Sequence, residues 1–86
     1  MAKVKIYTTA LCGYCHAAKR LLGDKGVEFE EIPVDRNNEM RLKLMEQTGQ
    51  RTVPQIWVGE THVGGFTDLA ALEQSGKLNE LLQEAG

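Results

Sequence analysis

The sequence predicts an α/β fold in which one mixed four-stranded sheet is flanked by helices. Two β-prone segments near the N-terminus are separated by an amphipathic helical segment, which is the pattern of a parallel βαβ unit. Two further β-prone segments are separated by only two residues, which is the pattern of an antiparallel hairpin. Helical patterns follow both halves, so the predicted order of elements is β-α-β-α-β-β-α-α.

The first predicted strand covers residues 3–7, where charged and apolar side chains alternate. This period of two places Val4 and Ile6 on one buried face. Residues 8–11 are predicted to form the loop that leads from this strand to Cys12.

A helix is predicted to begin near Tyr14, because the apolar residues that follow recur at helical spacing. These residues are Cys15, Ala18, Leu21 and Leu22. His16 lies off this stripe and is interpreted as a surface residue, with a role in tuning a thiol as the alternative. Either Gly23 or Gly26 is expected to end the helix.

The second predicted strand covers residues 27–32 and ends at Pro33, which has no N–H group to donate to a neighbouring strand. Because one helix joins the two strands within about 30 residues, the strands should be parallel and the crossover right-handed. A polar turn then supplies an N-cap, Asn37 or Asn38, to a second helix that ends at Gly49. The residues of this helix predicted to face inward are Met40, Leu44 and Met45.

The predicted hairpin joins residues 55–58 to residues 61–64 through Gly59 and Glu60, an order that suits a type II′ turn. Thr67 is the predicted N-cap of the helix that follows. The apolar residues of the last two helices, which are separated at Gly76, are Leu69, Leu72, Leu78, Leu81 and Leu82.

Length and composition limit the classes of protein to which the chain can belong. A chain of 86 residues supports one domain, residues 1–86, that buries roughly 60–65% of the surface of its unfolded form. The net charge is −2 and the ten Lys and Arg residues are spread along the chain, which disfavours nucleic acid and membrane surfaces as partners. A protein or small-peptide substrate fits this balance better.

The N-terminal residues lack the apolar segment of a secretory signal, and no stretch approaches the ~20 apolar residues of a membrane span. The cytoplasm is therefore the expected compartment. In a reducing compartment, a closely spaced pair of cysteines is more often catalytic or metal-binding than structural.

Both cysteines of the chain, Cys12 and Cys15, lie where the first strand passes into the first helix. At this spacing on a first helical turn, two side chains are about 5–6 Å apart, close enough to form a disulfide. Cys12, just outside the helix, should be exposed, and the positive end of the helix dipole should lower its pKa. Cys15 should point into the core and react less readily. These positions predict a nucleophile and a resolving thiol.

Other interpretations of the cysteine pair are weaker. One alternative is a permanent disulfide or two packed free thiols, and such a disulfide would close a loop of about three residues, which removes little entropy from the unfolded chain. A structural zinc site needs four ligands, and the chain has only His16 and His62 besides the two cysteines.

Two further segments have features of a binding site. A cis bond before Pro54 would leave the preceding backbone free to pair with an extended peptide, and an ordinary trans proline is the alternative. Gly64 and Gly65 permit close approach of another backbone, and the helix start at residues 66–68 could hold a carboxylate. A simple turn with an N-cap is the alternative there.

The most specific pattern consists of five segments in a fixed order. They are Ile6-Tyr7-Thr8, Cys12-Gly13-Tyr14-Cys15-His16, Ala18-Lys19 with Leu21-Leu22, Thr52-Val53-Pro54-Gln55-Ile56, and Gly64-Gly65 followed by Asp68. With these segments the chain resembles the glutaredoxin family over essentially its whole length. The resemblance implies the thioredoxin fold and glutathione-dependent thiol–disulfide exchange.

The resemblance also assigns roles to residues. It implies that Cys12 is the nucleophile and Cys15 the resolving thiol, and that the two form the disulfide of the oxidised protein. The residues it implies in glutathione binding are Tyr14, Thr52, Val53, Pro54 in the cis form, Gly65, Phe66, Thr67 and Asp68. Val53 would pair its backbone with the cysteinyl part of glutathione, and residues 66–68 would hold the γ-glutamyl end.

Two positions depart from the family pattern. Many members carry Lys where this chain has Thr9, so Arg51 is the candidate that would hold the glycyl carboxylate of glutathione, with a solvated surface Arg as the alternative. Dithiol members usually carry Pro where this chain has Gly13, which leaves a backbone N–H and a more flexible first helical turn.

These observations predict a monomeric enzyme that reduces protein disulfides and protein–glutathione mixed disulfides. Its partners would be glutathione and disulfide-bearing or glutathionylated proteins. The alternative is a dimeric carrier in which Cys12 and glutathione thiolates bridge a [2Fe–2S] cluster, because cluster binding in the family is associated with active sites that lack the proline replaced by Gly13. No other metal site is expected, and a non-catalytic adaptor is disfavoured because both cysteines are present.

Overall fold

The computed structural model describes residues 3–84 and contains four strands and four helices over that range. In chain order they are β1 Val4–Thr8, α1 Gly13–Asp24, β2 Phe29–Pro33, α2 Asn38–Thr48, β3 Gln55–Val58, β4 Thr61–Gly64, α3 Phe66–Gln74 and α4 Lys77–Glu84. The predicted order of elements is confirmed.

The four strands form one mixed sheet in the order β2-β1-β3-β4. β1 is parallel to β2, with Val4 opposite Phe29. β1 is antiparallel to β3, with Ile6 opposite Ile56, and β3 is antiparallel to β4. The predicted α/β class, with a parallel βαβ half and a hairpin half, is therefore confirmed, and the fold is the thioredoxin fold.

The directions of the strands bring three connecting segments to the same end of the sheet, where β1 and β4 end and β3 begins. The segment that leaves β1 and the segment that enters β3 lie at the same end because these strands are antiparallel. β4 returns antiparallel to β3, so β4 ends there and the segment after it begins there too. Residues 9–12, residues 49–54 and Gly65 consequently converge, although they are far apart in the chain.

The core lies between the sheet and the helices. Its buried members are Val4, Ile6, Ala18, Leu22, Val27, Ile56, Val58, Leu69, Leu78 and Leu82. The alternation in β1 and the helical stripe of α1 therefore bury the predicted faces. On α2 only Leu44 is buried, whereas Met40 and Met45 are half-buried. Within residues 3–84, no helix has the length and apolar composition that crossing a membrane requires.

Two helix ends are stabilised as predicted. The Asn37 side chain is the N-cap of α2 and accepts the backbone N–H of Met40 at 2.9 Å. Gly49 ends α2 in the left-handed conformation, with φ of +70°, a region that favours glycine because it has no Cβ. The hairpin turn also fits the type II′ prediction, because Gly59 has φ of +60° and Glu60 does not have a positive φ.

Three predicted elements have wrong boundaries. Thr8 belongs to β1 rather than to the loop, because its carbonyl accepts the N–H of Val34 and its buried hydroxyl donates to Glu31. β2 begins two residues later than predicted and includes Pro33. It is an edge strand, so the missing N–H costs no ladder hydrogen bond.

The third wrong boundary is the start of α3. Its N-cap is Gly65, and Thr67 is already inside the helix. The carboxylate of Asp68 reaches back and accepts the N–H of Gly65 at 3.1 Å. This bond is the half of a capping box that an acidic residue in the first turn supplies, so the helix begins without a threonine cap.

Candidate active site

Cys12 lies at the junction between the loop after β1 and the first turn of α1. Its backbone is extended, and it is the N-cap residue of the helix. The Sγ atom accepts the backbone N–H of Cys15 at 3.2 Å. The side chain is half-buried, which is less exposed than the sequence predicts. The cysteine is therefore partly accessible to solvent, and its sulfur is hydrogen-bonded to the first turn of the helix.

Cys15 lies one turn into α1 and is completely buried. Both cysteines are free thiols. Burial, together with the hydrogen bond to the Cys12 thiol, raises the pKa of Cys15 to about 12. The pair therefore consists of one accessible sulfur and one buried thiol that stays protonated near neutral pH, which is the inequality that the sequence predicts.

The loop before Cys12 is held at the peptide groups of Ala10. Its N–H donates to a carboxylate oxygen of Asp35 at 3.2 Å. Its carbonyl lies 3.3 Å from Nε2 of His16. His16 is a surface residue, as predicted, and it contacts this loop. The two contacts fix the path by which the chain enters the cysteine motif.

A second segment meets Cys12 from across the sheet edge. The Val53–Pro54 peptide bond is cis, as the resemblance implies. The Cys12 thiol donates to the carbonyl oxygen of Val53, with 3.5 Å between sulfur and oxygen. The contact joins residues 41 positions apart, and it places the backbone before the proline directly beside the accessible sulfur.

Gln55 is a functional candidate that sequence reasoning missed. Its side chain is fully buried, yet polar. The side-chain amide donates to Oε1 of Gln50 at 2.8 Å and to the carbonyl of Thr52 at 2.9 Å. Its oxygen lies 2.8 Å from Nε2 of His62. A glutamine at a buried position in a strand between Pro54 and an apolar residue is the sequence signal that could have identified it.

Through these contacts, the Gln55 side chain links the sheet to the loop that precedes β3. The amide group is committed to two acceptors on the loop, so its oxygen must face β4 and accept from the N–H of His62. His62 also packs on the Trp57 ring, with centroids 4.6 Å apart. The loop before Pro54 is thus held by a buried polar side chain with all its hydrogen bonds made.

A cleft of about 270 Å³ lies beside the cysteine motif. The residues that line it are Tyr14, Thr52, Val53, Pro54, Gly65, Phe66 and Thr67. The rings of Tyr14 and Phe66 stack with centroids 6.1 Å apart and an interplanar angle of 28°. All seven residues are among those that the resemblance assigns to glutathione, so the fold gathers them around one volume.

Two other cavities are larger than this cleft. One, of about 680 Å³, lies between β4 and the last two helices, and another, of about 630 Å³, lies at the start of β2. Neither is lined by a residue that contacts Cys12 or belongs to its motif, whereas the smaller cleft is lined by Tyr14 of that motif and by Val53, whose carbonyl accepts the Cys12 thiol. Cavity size therefore does not identify the site in this protein. The position of the accessible sulfur does.

The other two residues assigned to glutathione do not line the cleft. Arg51 is exposed. Asp68 lies in the first turn of α3, where its carboxylate binds the N–H of Gly65. Gly64 has φ of +115°, and a Cβ there would overlap the Asp68 carboxylate. The turn that brings Gly65 to the cleft thus requires a residue without a Cβ at position 64, because the Asp68 carboxylate occupies that space.

Metal-binding side chains are not clustered in the part of the chain that the structure describes. Within residues 3–84, no group of three or more His, Cys, Asp or Glu side chains is close enough to hold one ion.

Comparison with known proteins assigns the chain to a family. The glutaredoxin family model matches residues 4–63. A glutaredoxin from Pseudomonas aeruginosa is 58% identical over 82 residues, which cover 95% of this chain and 98% of that protein. Glutaredoxin 3 from Escherichia coli K12 is 48% identical over 83 residues, which cover 96% of this chain and all of that protein.

A solved structure gives the same result in three dimensions. The crystal structure of a buckwheat glutaredoxin–glutathione complex superposes with a TM-score of 0.92 at 31% sequence identity. The match covers 99% of this chain and 80% of the buckwheat chain. Since the family model spans both cysteines and the cis-proline, and full-length relatives share about half of the sequence, this chain belongs to the glutaredoxin family.

Proposed function

We propose that the protein is a glutathione-dependent thiol–disulfide oxidoreductase that reduces protein disulfides and protein–glutathione mixed disulfides. The observation that carries this proposal is the inequality of the two thiols. Cys12 is accessible beside a small cleft, and Cys15 is buried and protonated beneath it. The glutathione bound to the buckwheat relative supports glutathione as the ligand.

In the proposed reaction the Cys12 thiolate attacks one sulfur of a disulfide, and the bond between the two substrate sulfurs breaks. The departing sulfur leaves as a thiolate and takes up a proton. Cys12 then holds a mixed disulfide. With a protein disulfide, Cys15 loses its proton and attacks Cys12, which releases the reduced substrate and leaves the Cys12–Cys15 disulfide. Two glutathione molecules then reduce that disulfide and become glutathione disulfide.

With a glutathionylated protein, Cys12 attacks the glutathione sulfur and the protein thiol departs. The thiolate of a second glutathione then attacks the glutathione sulfur of this mixed disulfide, which forms glutathione disulfide and releases Cys12 as a thiolate. This route does not require Cys15. It requires that the glutathione moiety be oriented beside Cys12, which is the role we assign to the cleft.

The cleft residues have groups suited to a tripeptide with two carboxylates. Val53 would pair its backbone with the cysteinyl part of glutathione, with Thr52 and Pro54 beside that contact. Phe66 and Thr67 begin α3, where free N–H groups and the helix dipole favour a carboxylate.

The remaining proposed contacts lie around this cleft. Tyr14 would border the ligand from the first turn of α1, and Gly65 would allow close approach of the ligand backbone. Asp68 would complete the site for the γ-glutamyl end. Arg51 would reach the glycyl carboxylate from the exposed loop. We place this activity in the cytoplasm, with a monomeric protein and glutathionylated or disulfide-bearing proteins as partners.

The test compares Cys15→Ser with Cys12→Ser in an assay coupled to glutathione and glutathione reductase. Cys15→Ser should retain reduction of a glutathionylated protein and lose most reduction of a protein disulfide. Cys12→Ser should abolish both activities. Retained turnover in Cys12→Ser, or equal loss of both activities in Cys15→Ser, would contradict the proposal.

A second candidate function is a dimeric carrier of a [2Fe–2S] cluster, which Cys12 and two glutathione thiolates would hold between two protomers. The observation that favours it is the open space at Gly13, where a Cβ would meet no atom within 4 Å. The first turn of α1, next to Cys12 in the chain, is therefore open to a neighbouring molecule at Gly13. Anaerobic reconstitution with iron, sulfide and glutathione, followed by visible spectroscopy and mass determination, tests it. A colourless monomer would remove this candidate.

A further inference from the structure

Large apolar side chains are concentrated next to Cys12. Among the residues that the structure describes, three large hydrophobic side chains are exposed. Leu11 is 101% exposed and Tyr14 is 64% exposed, and these two flank Cys12 at positions −1 and +2. The third, Leu42, is 59% exposed and lies on α2. We call Leu11 and Tyr14 the apolar rim.

The two members of the rim differ in their surroundings. Tyr14 lines the cleft and stacks on Phe66. Leu11 is not among the residues that line the cleft, and its side chain is fully accessible. Leu11 therefore buries none of its apolar surface in the isolated chain, and it lies outside the volume proposed for glutathione.

The proposed reaction at Cys12 brings a protein substrate close to Leu11. When Cys12 attacks a protein disulfide, its sulfur becomes bonded to a cysteine of the substrate, and the substrate's other thiolate is released. The Cα atoms of two disulfide-bonded cysteines are about 4.4–6.8 Å apart, and adjacent Cα atoms are about 3.8 Å apart. The substrate cysteine is thus within roughly 11 Å of the Leu11 Cα in this intermediate, so a residue that flanks it can bring its side chain into contact with Leu11.

We infer that Leu11 is a specificity residue for polypeptide disulfides in which an apolar side chain adjoins the reacting cysteine. The inference rests on the proposed function and deepens it. Burying an exposed leucine against an apolar side chain is favourable. No residue from Ala10 to Tyr14 is a Lys, Arg, Asp or Glu, and the carboxylate that lies at this segment, that of Asp35, is bonded to the backbone N–H of Ala10.

The experiment uses two disulfide-linked peptide dimers that differ only in the residues next to the single cysteine, leucine in one and serine in the other. The mixed disulfide of β-mercaptoethanol and glutathione is the small substrate. The chain as it stands should reduce the leucine peptide about five-fold more efficiently, by kcat/KM, than the serine peptide. Leu11→Ser should lose this preference and keep its rate on the small substrate within two-fold.

Two variants control the result. Leu42→Ser removes an exposed leucine from α2 and should change neither the preference nor the rate on the small substrate. Leu11→Met, which keeps an apolar side chain of similar size, should retain the preference. A preference that persists in Leu11→Ser would overturn the inference. Equal loss on all three substrates in Leu11→Ser would also overturn it, because Leu11 would then act on the thiol itself.

Failure of the inference and failure of the proposed function are distinguishable. If the unchanged chain reduces the small mixed disulfide but does not distinguish between the peptides, only the inference fails. If it does not turn over the small mixed disulfide at all, the proposed function fails.

Discussion

The sulfur of Cys12 accepts the backbone N–H of Cys15 at 3.2 Å, so the candidate nucleophile is also the N-cap of α1. One atom therefore has a structural role in the helix and a proposed chemical role at the surface. Substitutions that separate the two roles are the first test of the structure.

Cys12→Ser and Cys12→Ala should differ in stability although both lack the reactive thiol. Serine is a favoured N-cap and retains an acceptor for the N–H of Cys15. Alanine leaves that N–H without its side-chain partner, and we expect a loss of about 1 kcal/mol in the free energy of unfolding relative to serine. Urea denaturation of the two variants measures the difference. Equal stability would show that the contact contributes nothing.

Alkylation should distinguish the two thiols. The pKa of Cys15 is raised to about 12 by its burial and by the Cys12 thiol, so at pH 8 only about one molecule in 10⁴ carries the Cys15 thiolate. Iodoacetamide added to the reduced native protein should modify Cys12 alone, as mass spectrometry of the peptides would show. The control is the unfolded protein in urea, in which both cysteines should react. Rapid modification of Cys15 in the folded chain would contradict its described burial.

Glu31 should make stability depend on pH in the acid range. The hydroxyl of Thr8 and the ammonium group of Lys19, both bonded to its carboxylate, lower the pKa of Glu31. A carboxyl group with a lowered pKa in the folded state stabilises the protein above its unfolded pKa, near 4.3, and that contribution is lost as pH falls through the folded value. Since the side chain is 39% exposed, solvent screening limits the effect to less than about 1 kcal/mol.

The matched variants for this prediction are Glu31→Gln and Glu30→Gln. Glu30 is the neighbouring residue, and it has only a 3.7 Å ion pair with Lys3 between exposed side chains. Glu31→Gln should be less stable than the unchanged chain at pH 7, and the difference should shrink as the pH falls below the unfolded pKa of about 4.3. Glu30→Gln should show little difference at either pH. A stability difference for Glu31→Gln that stays constant between pH 7 and pH 3 would rule out this role of the carboxylate.

Gln55→Met should damage both stability and the cleft. Methionine has a similar volume but cannot satisfy the carbonyl of Thr52 or the side chains of Gln50 and His62. Leaving buried polar groups without partners costs about 1–3 kcal/mol. We also expect a higher KM for a glutathionylated substrate, because the Thr52 backbone would be less firmly held. His62→Ala, which removes one exposed partner of Gln55, should have a smaller effect on both measurements, and the reverse order would refute the network.

Gly64 and Gly13 should respond in opposite ways to alanine. At Gly64 the backbone has φ of +115°, and an added Cβ would overlap the Asp68 carboxylate, so Gly64→Ala should destabilise the fold by more than 1 kcal/mol. At Gly13 the added Cβ would meet nothing, and the residue is the first of α1. Gly13→Ala should therefore be neutral or stabilise by up to about 1 kcal/mol. Denaturation midpoints of the two variants test this pair.

Local pattern was enough to predict most elements. The alternation around Val4 and Ile6, the stripe of α1, the turn at Gly59 and the left-handed end at Gly49 each depend on residues a few positions apart. The errors at Thr8, Pro33 and Thr67 arose where a distant or competing partner decided the boundary. Thr8 pairs with β2, Pro33 lies on a sheet edge, and Asp68 rather than Thr67 closes the start of α3.

By itself the sequence determined the fold class, the cysteine pair and the family, because the order of β and α patterns and the spacing of motif residues are local properties. Only the tertiary structure decided how the site is assembled. The strand order brings Val53 to the Cys12 sulfur across 41 residues, gives Gln55 its partners and leaves Leu11 outside the cleft. The physical reason is that contacts between distant segments depend on packing in the whole molecule, which no local periodicity specifies.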